Sequence, residues 1–112
     1  MADSDKDHKD IGRDFDEAVN MTARQLSDWL ETEKSQSVGL SDGGESVGHR
    51  SGRRIVEILE KKKSERTDAD RDHMHKVVGY IHRHLAQRPD GDVSETRWRY
   101  SLMNWGHDPL KD

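Results

Sequence analysis

Apolar residues recur along this chain at helical rather than alternating spacing. Ile11, Phe15, Ala18 and Val19 fall at i, i+4, i+7 and i+8, one face of a short helix that Asn20 ends. Thr22-Ala-Arg-Gln25 fits a capping box, in which the threonine oxygen accepts from the Gln25 backbone N–H and the glutamine reaches back. Leu26, Trp29 and Leu30 form the stripe of the helix that follows, and the pattern fades after Glu33. Ser35 to Gly52 holds five glycines and five serines and reads as loop, because glycine supplies backbone angles that other residues avoid. Either Ser46 or Ser51 then caps a third helix, buried through Ile55, Ile58 and Leu59 with Val56 flanking. Lys61, Lys62 and Lys63 stand in its last turn, where cations favour the exposed carbonyls. Thr67 caps the longest helix, with Asp68, Asp70 and Asp72 in its first turns. Met74, Val77, Val78, Ile81 and Leu85 are its buried positions, and Arg88-Pro-Asp-Gly91 ends it. Ser94 caps a last short helix carrying Trp98, Leu102 and Trp105, which Gly106 and Pro109 stop.

No segment alternates with period two, so the pattern predicts an all-α fold: a compact bundle of four to five short helices. Residues 11–112 form one helical domain, and 1–10, poor in apolar residues, form a disordered acidic tail. The expected core is Phe15, Leu26, Trp29, Leu30, Ile55, Ile58, Leu59, Met74, Val77, Val78, Ile81, Leu85, Trp98, Leu102 and Trp105.

Composition narrows this picture. Hydrophobic residues are 29% of the 112 and charged residues 38%, which leaves a thin core for a domain already too small to bury a large share of its surface. The absence of cysteine removes disulfides, thiolate chemistry and cysteine zinc sites together. No apolar run approaches the length of a membrane span, and the start is charged where a signal peptide is apolar. A cytoplasmic protein without a membrane partner is the expectation. The charge is uneven: residues 1–48 carry 12 acids and 5 bases, residues 49–112 carry 11 acids and 14 bases. A basic C-terminal part behind an acidic front suits an anionic partner, and it equally suits pairing between the two halves.

The chemistry-bearing residues do not assemble into a recognisable reaction. His73, His75, His82 and His84 share one predicted helix, but no two have the i, i+3 or i, i+4 spacing that turns both rings to one ion. Asp70 with His73, and Asp72 with His75, have that spacing but give only two ligands each, so structural histidines are expected and no metal. No serine sits in Gly-x-Ser-x-Gly. Gly48 to Gly52 is one residue short of a Walker A loop, and Arg53-Arg54 stand where Lys-Ser would follow. Neither an enzyme nor a cofactor is expected. What the glycine-rich segment does offer is a helix start with Arg50, Arg53 and Arg54 beside it, a donor-rich positive site for an anion. Its alternative is a linker whose arginines pair with the acidic front. Arg97-Trp98-Arg99-Tyr100 interleaves cations and rings, with the tryptophans better placed as core anchors and Arg97, Arg99 and Tyr100 left outside.

From Asn20 to Lys111 the chain also resembles a known family. The resemblance rests on Asn20-Met21-Thr22, Trp29-Leu30, Ser37-Val38-Gly39, Ser46-Val47-Gly48 and Gly52-Arg53-Arg54-Ile55-Val56. It continues in His73-Met74, Val77-Val78, His82-Arg83-His84-Leu85-Ala86-Gln87 and Asn104-Trp105-Gly106-His107-Asp108-Pro109-Leu110-Lys111. These resemble the domain-of-unknown-function 3140 family, small bacterial and fungal proteins. The resemblance implies a recurrent compact module, supplies no established activity, and brings a DNA-binding label carried by some relatives. Together these readings predict a non-enzymatic binding module that holds DNA through phosphate contacts from Arg50, Arg53, Arg54, Lys61, Lys62, Lys63, Arg97 and Arg99. The alternative is a protein-interaction or stress-related structural module whose partner is another protein.

Overall fold

The computed structural model describes residues 11–38 and 46–111; the tail predicted at 1–10 lies outside the described residues. Residues 11–18 are helical (α1). They are followed by α2 (Ala23–Leu30), α3 (Glu33–Ser37), α4 (Val47–Glu60), a single 3-10 turn (Lys63–Glu65), α5 (Asp68–Leu85) and α6 (Arg97–Asn104). No strand occurs among the described residues. The described residues form an all-helical fold with α4 at its centre: α2, α5 and α6 all pack against it, and α6 also touches α2, α3 and α5.

The caps show why these segments and not their neighbours are helical. Thr22 and Gln25 exchange both capping-box bonds, at 3.1 and 3.0 Å, as the spacing predicts. Thr67 and Asp70 form a second box, again a threonine with an acceptor three residues on. Ser46, not Ser51, caps α4 by accepting from the His49 N–H. The last helix starts later than predicted: Thr96, not Ser94, is its cap, accepting from the Arg99 N–H, while the Ser94 N–H donates to Asp92 in a turn that precedes it. The stretch from Ser35 read as loop is helical at both ends. Thr32 caps α3 by accepting from the Ser35 N–H, which adds a helix where the apolar pattern has faded. The lysines also sit differently: α4 ends at Glu60, Lys61 and Lys62 are extended, and Lys63 opens the 3-10 turn. They are not in a helical last turn, so the helix dipole does not explain them.

Phe15, Leu26, Ile55, Ile58, Met74, Val77, Ile81 and Leu102 are fully enclosed, and Ile11, Val19, Met21 and Val93 join them. Trp29, Leu59, Leu85 and Trp105, expected in the core, pack only partly buried at its edge. For the two tryptophans the reason is polar or stacked company, described below.

Two glycines decide how closely these elements approach. At Gly52 a Cβ would lie 2.5 Å from the Asn104 carbonyl oxygen and 2.7 Å from Leu30 Cδ2, so α4 meets α2 and α6 through a bare backbone. Gly52→Ala is expected to cost about 1 to 3 kcal/mol through overpacking, although alanine is the better helix former. At Gly79 a Cβ would approach only the mobile end of Arg83, at 3.3 Å. Gly79→Ala is therefore expected to gain up to about 1 kcal/mol. Thermal melts of the pair measure the contrast, and a Gly52→Ala protein as stable as the parent would show that the junction has slack.

Candidate functional site

The C-terminal motif is a staple. Trp105 ends α6, and Gly106 turns the chain back with φ +87, a conformation that favours glycine. The Gly106 N–H donates to the Met103 carbonyl and the His107 N–H to the Leu102 carbonyl, both at 3.0 Å, the pairing of a Schellman motif. The residues beyond then bind the α1–α2 connection. His107 Nδ1 lies 2.6 Å from the Ala18 carbonyl oxygen. The Asp108 N–H donates to Asn20 Oδ1 at 2.8 Å, and Asn20 Nδ2 returns a bond to the Asp108 carbonyl at 2.9 Å. Lys111 Nζ reaches the Asn20 carbonyl and Gln25 Oε1.

Arg99 belongs to this staple. Its Nε and Nη2 each lie 3.1 Å from one oxygen of Asp108, and its Nη1 donates to the Ser94 carbonyl at 2.8 Å. Burial pushes the Asp108 carboxyl up, but the bonds from Arg99 and the Leu110 N–H outweigh it and hold the group below its ordinary value.

A second cluster ties α4 to α5. The Asp70 side chain is 2% exposed, with Arg54 Nη2 at 3.0 Å from one oxygen and Lys61 Nζ at 2.7 Å from the other. The Thr67 N–H donates to the Lys61-bound oxygen at 2.9 Å. Chiefly through the Lys61 bond, then through Thr67 and against the cost of burial, Asp70 is held well below the usual carboxylate range. One turn along α5, His73 Nε2 lies 2.9 Å from Ser51 Oγ. Burial first, and the nearby Arg54 charge next, lower the His73 pKa. Burial also lowers that of His84.

Rings cover the outer side of this junction. Trp105 stacks on Tyr80 at 4.2 Å between centroids and on His73 at 6.3 Å, and Tyr80 continues the stack onto His84 at 4.8 Å. The half-buried histidines therefore have structural partners. Among the described residues, no group of three or more His, Asp or Glu side chains is placed to hold a metal.

The eight predicted phosphate contacts thus fall into two sets. Arg54, Lys61 and Arg99 are engaged by Asp70 and Asp108. Arg50, Arg53, Lys62, Lys63 and Arg97 have exposed side chains. Within that second set Lys63 pairs with Asp16 at 3.0 Å and Arg97 approaches the Ser37 carbonyl at 3.5 Å. The helix start that could have cradled an anion does not gather its three arginines, since Arg54 turns inward to Asp70 while Arg50 and Arg53 point out. Pairing between the acidic front and the basic back is seen at Lys63 and Asp16, whereas Arg54, Lys61 and Arg99 take acids from their own half.

The exposed face of α4 is its most distinctive outer feature. Positions 47, 50, 53, 57 and 60 are exposed, and they read Val47, Arg50, Arg53, Glu57, Glu60. The cations stand nearer the N-terminus and the acids nearer the C-terminus, the reverse of what the helix dipole favours. Arg53 also precedes Glu57 at i, i+4, the weaker order for a helical ion pair. Helix stability does not account for this arrangement. Basic residues alone single out Arg50 and Arg53; Glu57 and Glu60 gain meaning only as the other end of a polarity along the same face.

Among the described residues, no helix is long and apolar enough to cross a membrane. No curated protein and no solved structure matches the chain. Residues 14–103 match the family model described as protein of unknown function (DUF3140), which spans every helix from α2 to the penultimate residue of α6, and the chain belongs to that family.

Proposed function

We propose that this chain is a non-enzymatic protein-interaction module of the cytoplasm, and that the outer face of α4 is where it meets its partner. The observation that carries the reading is the bipolar order Arg50, Arg53, Glu57, Glu60 along that face. Charges placed against the helix dipole are a small liability to the isolated helix, and a partner of complementary polarity turns them into an asset. A polyanion does not complement such a face, since phosphates drawn to the arginines are repelled by glutamates one to two turns away. The non-enzymatic reading is supported by the engagement of Asp70, His73 and Asp108 in structural bonds. The cytoplasmic reading is supported by the cysteine-free composition.

DNA is the competing partner, and the exposure of Arg50, Arg53, Lys62, Lys63 and Arg97 is what favours it. A titration with duplex DNA at low and at high salt separates the two. The expected result is no measurable binding at low salt to the folded protein. Binding that weakens steeply as salt rises, and that Arg50→Ala with Arg53→Ala abolishes, would replace the protein partner by DNA.

A further inference from the structure

We infer that the partner of the α4 face is a second copy of this chain, seated with its α4 antiparallel to the first; this rests on the protein-interaction reading above. In a two-fold pairing of identical antiparallel helices, a residue as far before the axis as another lies after it meets that other residue on the second helix. With the axis passing at Ile55, Arg50 meets the partner's Glu60 and Arg53 meets the partner's Glu57. The same operator brings Glu57 and Glu60 to the partner's Arg53 and the partner's Arg50. One register therefore satisfies every charge on the face at once. Parallel pairing in register would instead set arginine against arginine and glutamate against glutamate.

The surroundings fit a shallow, self-complementary contact. Val56 sits half-buried beside Arg53 and Glu57, and with Leu30 it lines a groove of about 530 Å³ between α2 and α4. Val47, 69% exposed, extends the face with apolar surface one turn before Arg50. Arg50 and Arg53 also interact within their own chain, so the dimer contacts compete with existing ones. Exposed ion pairs are individually weak and screened by salt. The association is accordingly a weak one that salt dissolves.

Sedimentation equilibrium of the full chain tests this. At low salt a monomer–dimer equilibrium is expected, with a dissociation constant that rises at least about tenfold by roughly 0.5 M salt, where the Debye length has fallen below about 8 Å. Arg50→Glu with Arg53→Glu makes the face wholly acidic, and Glu57→Arg with Glu60→Arg makes it wholly basic. Each variant alone is expected to be monomeric. An equimolar mixture of the two is expected to form the heterodimer, because every position then faces its opposite. Circular dichroism confirms that each variant is helical. Should either unfold, Arg50→Gln with Arg53→Gln takes its place and is expected to weaken self-association at least about tenfold, the loss of ion pairs without repulsion. A parent that stays monomeric at low salt and about millimolar concentration overturns the proposal. So do charge-reversed variants that dimerise like the parent, or fail to associate when mixed. The DNA titration keeps the two levels apart. A monomer that binds no DNA rejects the second copy alone, and a monomer that binds DNA through Arg50 and Arg53 rejects the protein-interaction reading with it.

Discussion

Asn104→Ala is expected to destabilise the chain by about 3 to 5 kcal/mol, the cost of orphaning several buried polar groups at once. Asn104 is 1% exposed at the end of α6. Its Oδ1 accepts from Trp29 Nε1 at 2.7 Å and from Ser35 Oγ at 2.5 Å, and its Nδ2 donates to the Ser35 carbonyl at 3.0 Å. One amide thus holds α2, α3 and α6 together. Alanine leaves an indole N–H, a hydroxyl and a carbonyl without partners where water has little access. For a domain of this size the melting temperature should fall by roughly 12 °C or more. Ser35→Ala then supplies the internal check. In the parent it removes one donor to Asn104, while in the Asn104→Ala background the serine hydroxyl is already orphaned, so its removal should cost less. Additive losses, or an Asn104→Ala protein melting within about 2 °C of the parent, a shift of well under 1 kcal/mol, would show that the amide is not the junction's anchor.

Asn104 also shows what apolar spacing leaves out. The buried stripe of α5, Met74, Val77, Val78 and Ile81, is legible directly, as is the Thr22–Gln25 box that opens α2. The helix α3 is not, because Glu33-Lys-Ser-Gln-Ser37 carries no apolar residue. Its inward position is Ser35, and what draws that serine inside is an amide 69 residues away. Periodicity describes faces and not such distant polar matches. Trp29 was legible as an anchor but not as a donor, and the bond to Asn104 is what holds the indole at the core's edge.

The cations failed to sort for a related reason. Composition treats Arg53 and Arg54 alike, yet adjacent helical positions point about 100° apart. That rotation sends Arg53 outward and Arg54 to Asp70. The missed signal was in α5: Asp70 lies four residues before Met74, in line with the buried stripe, and it is also the third residue after the Thr67 cap. An acid on that line is buried unless the helix frays, and a buried acid requires cations. Two of the eight candidates, Arg54 and Lys61, follow from that one position. Arg99 and Asp108 gave less warning, since their meeting depends on the turn at Gly106.

Replacing both partners of Asp70, by Arg54→Met with Lys61→Met, is expected to cost about 3 to 5 kcal/mol at neutral pH, more than Asp70→Asn. The asymmetry follows from exposure. Arg54 and Lys61 have side chains 40% and 37% exposed, against 2% for Asp70. Without the carboxylate the two cations turn to water, at a cost of about 1 to 3 kcal/mol for the lost charge-assisted bonds. Without the cations a buried carboxylate keeps only the Thr67 N–H. The pH dependence gives the sharper reading. In the parent the folded-state pKa of Asp70 is depressed, so its contribution is complete above the unfolded value of about 3.9 and is lost as pH falls below it. In the double variant the lowering by Lys61 is gone and only the Thr67 bonds oppose burial, so the folded-state pKa moves up toward the unfolded one. The sign is unchanged but the contribution shrinks: less stability is present above the unfolded value, and less is lost as pH falls through it. The deficit relative to the parent should therefore be largest near pH 7 and narrow by about pH 3, below the unfolded pKa. Urea unfolding of both proteins at the two pH values measures it. A deficit that is the same at both would mean that the two cations stabilise the fold otherwise than through the Asp70 charge.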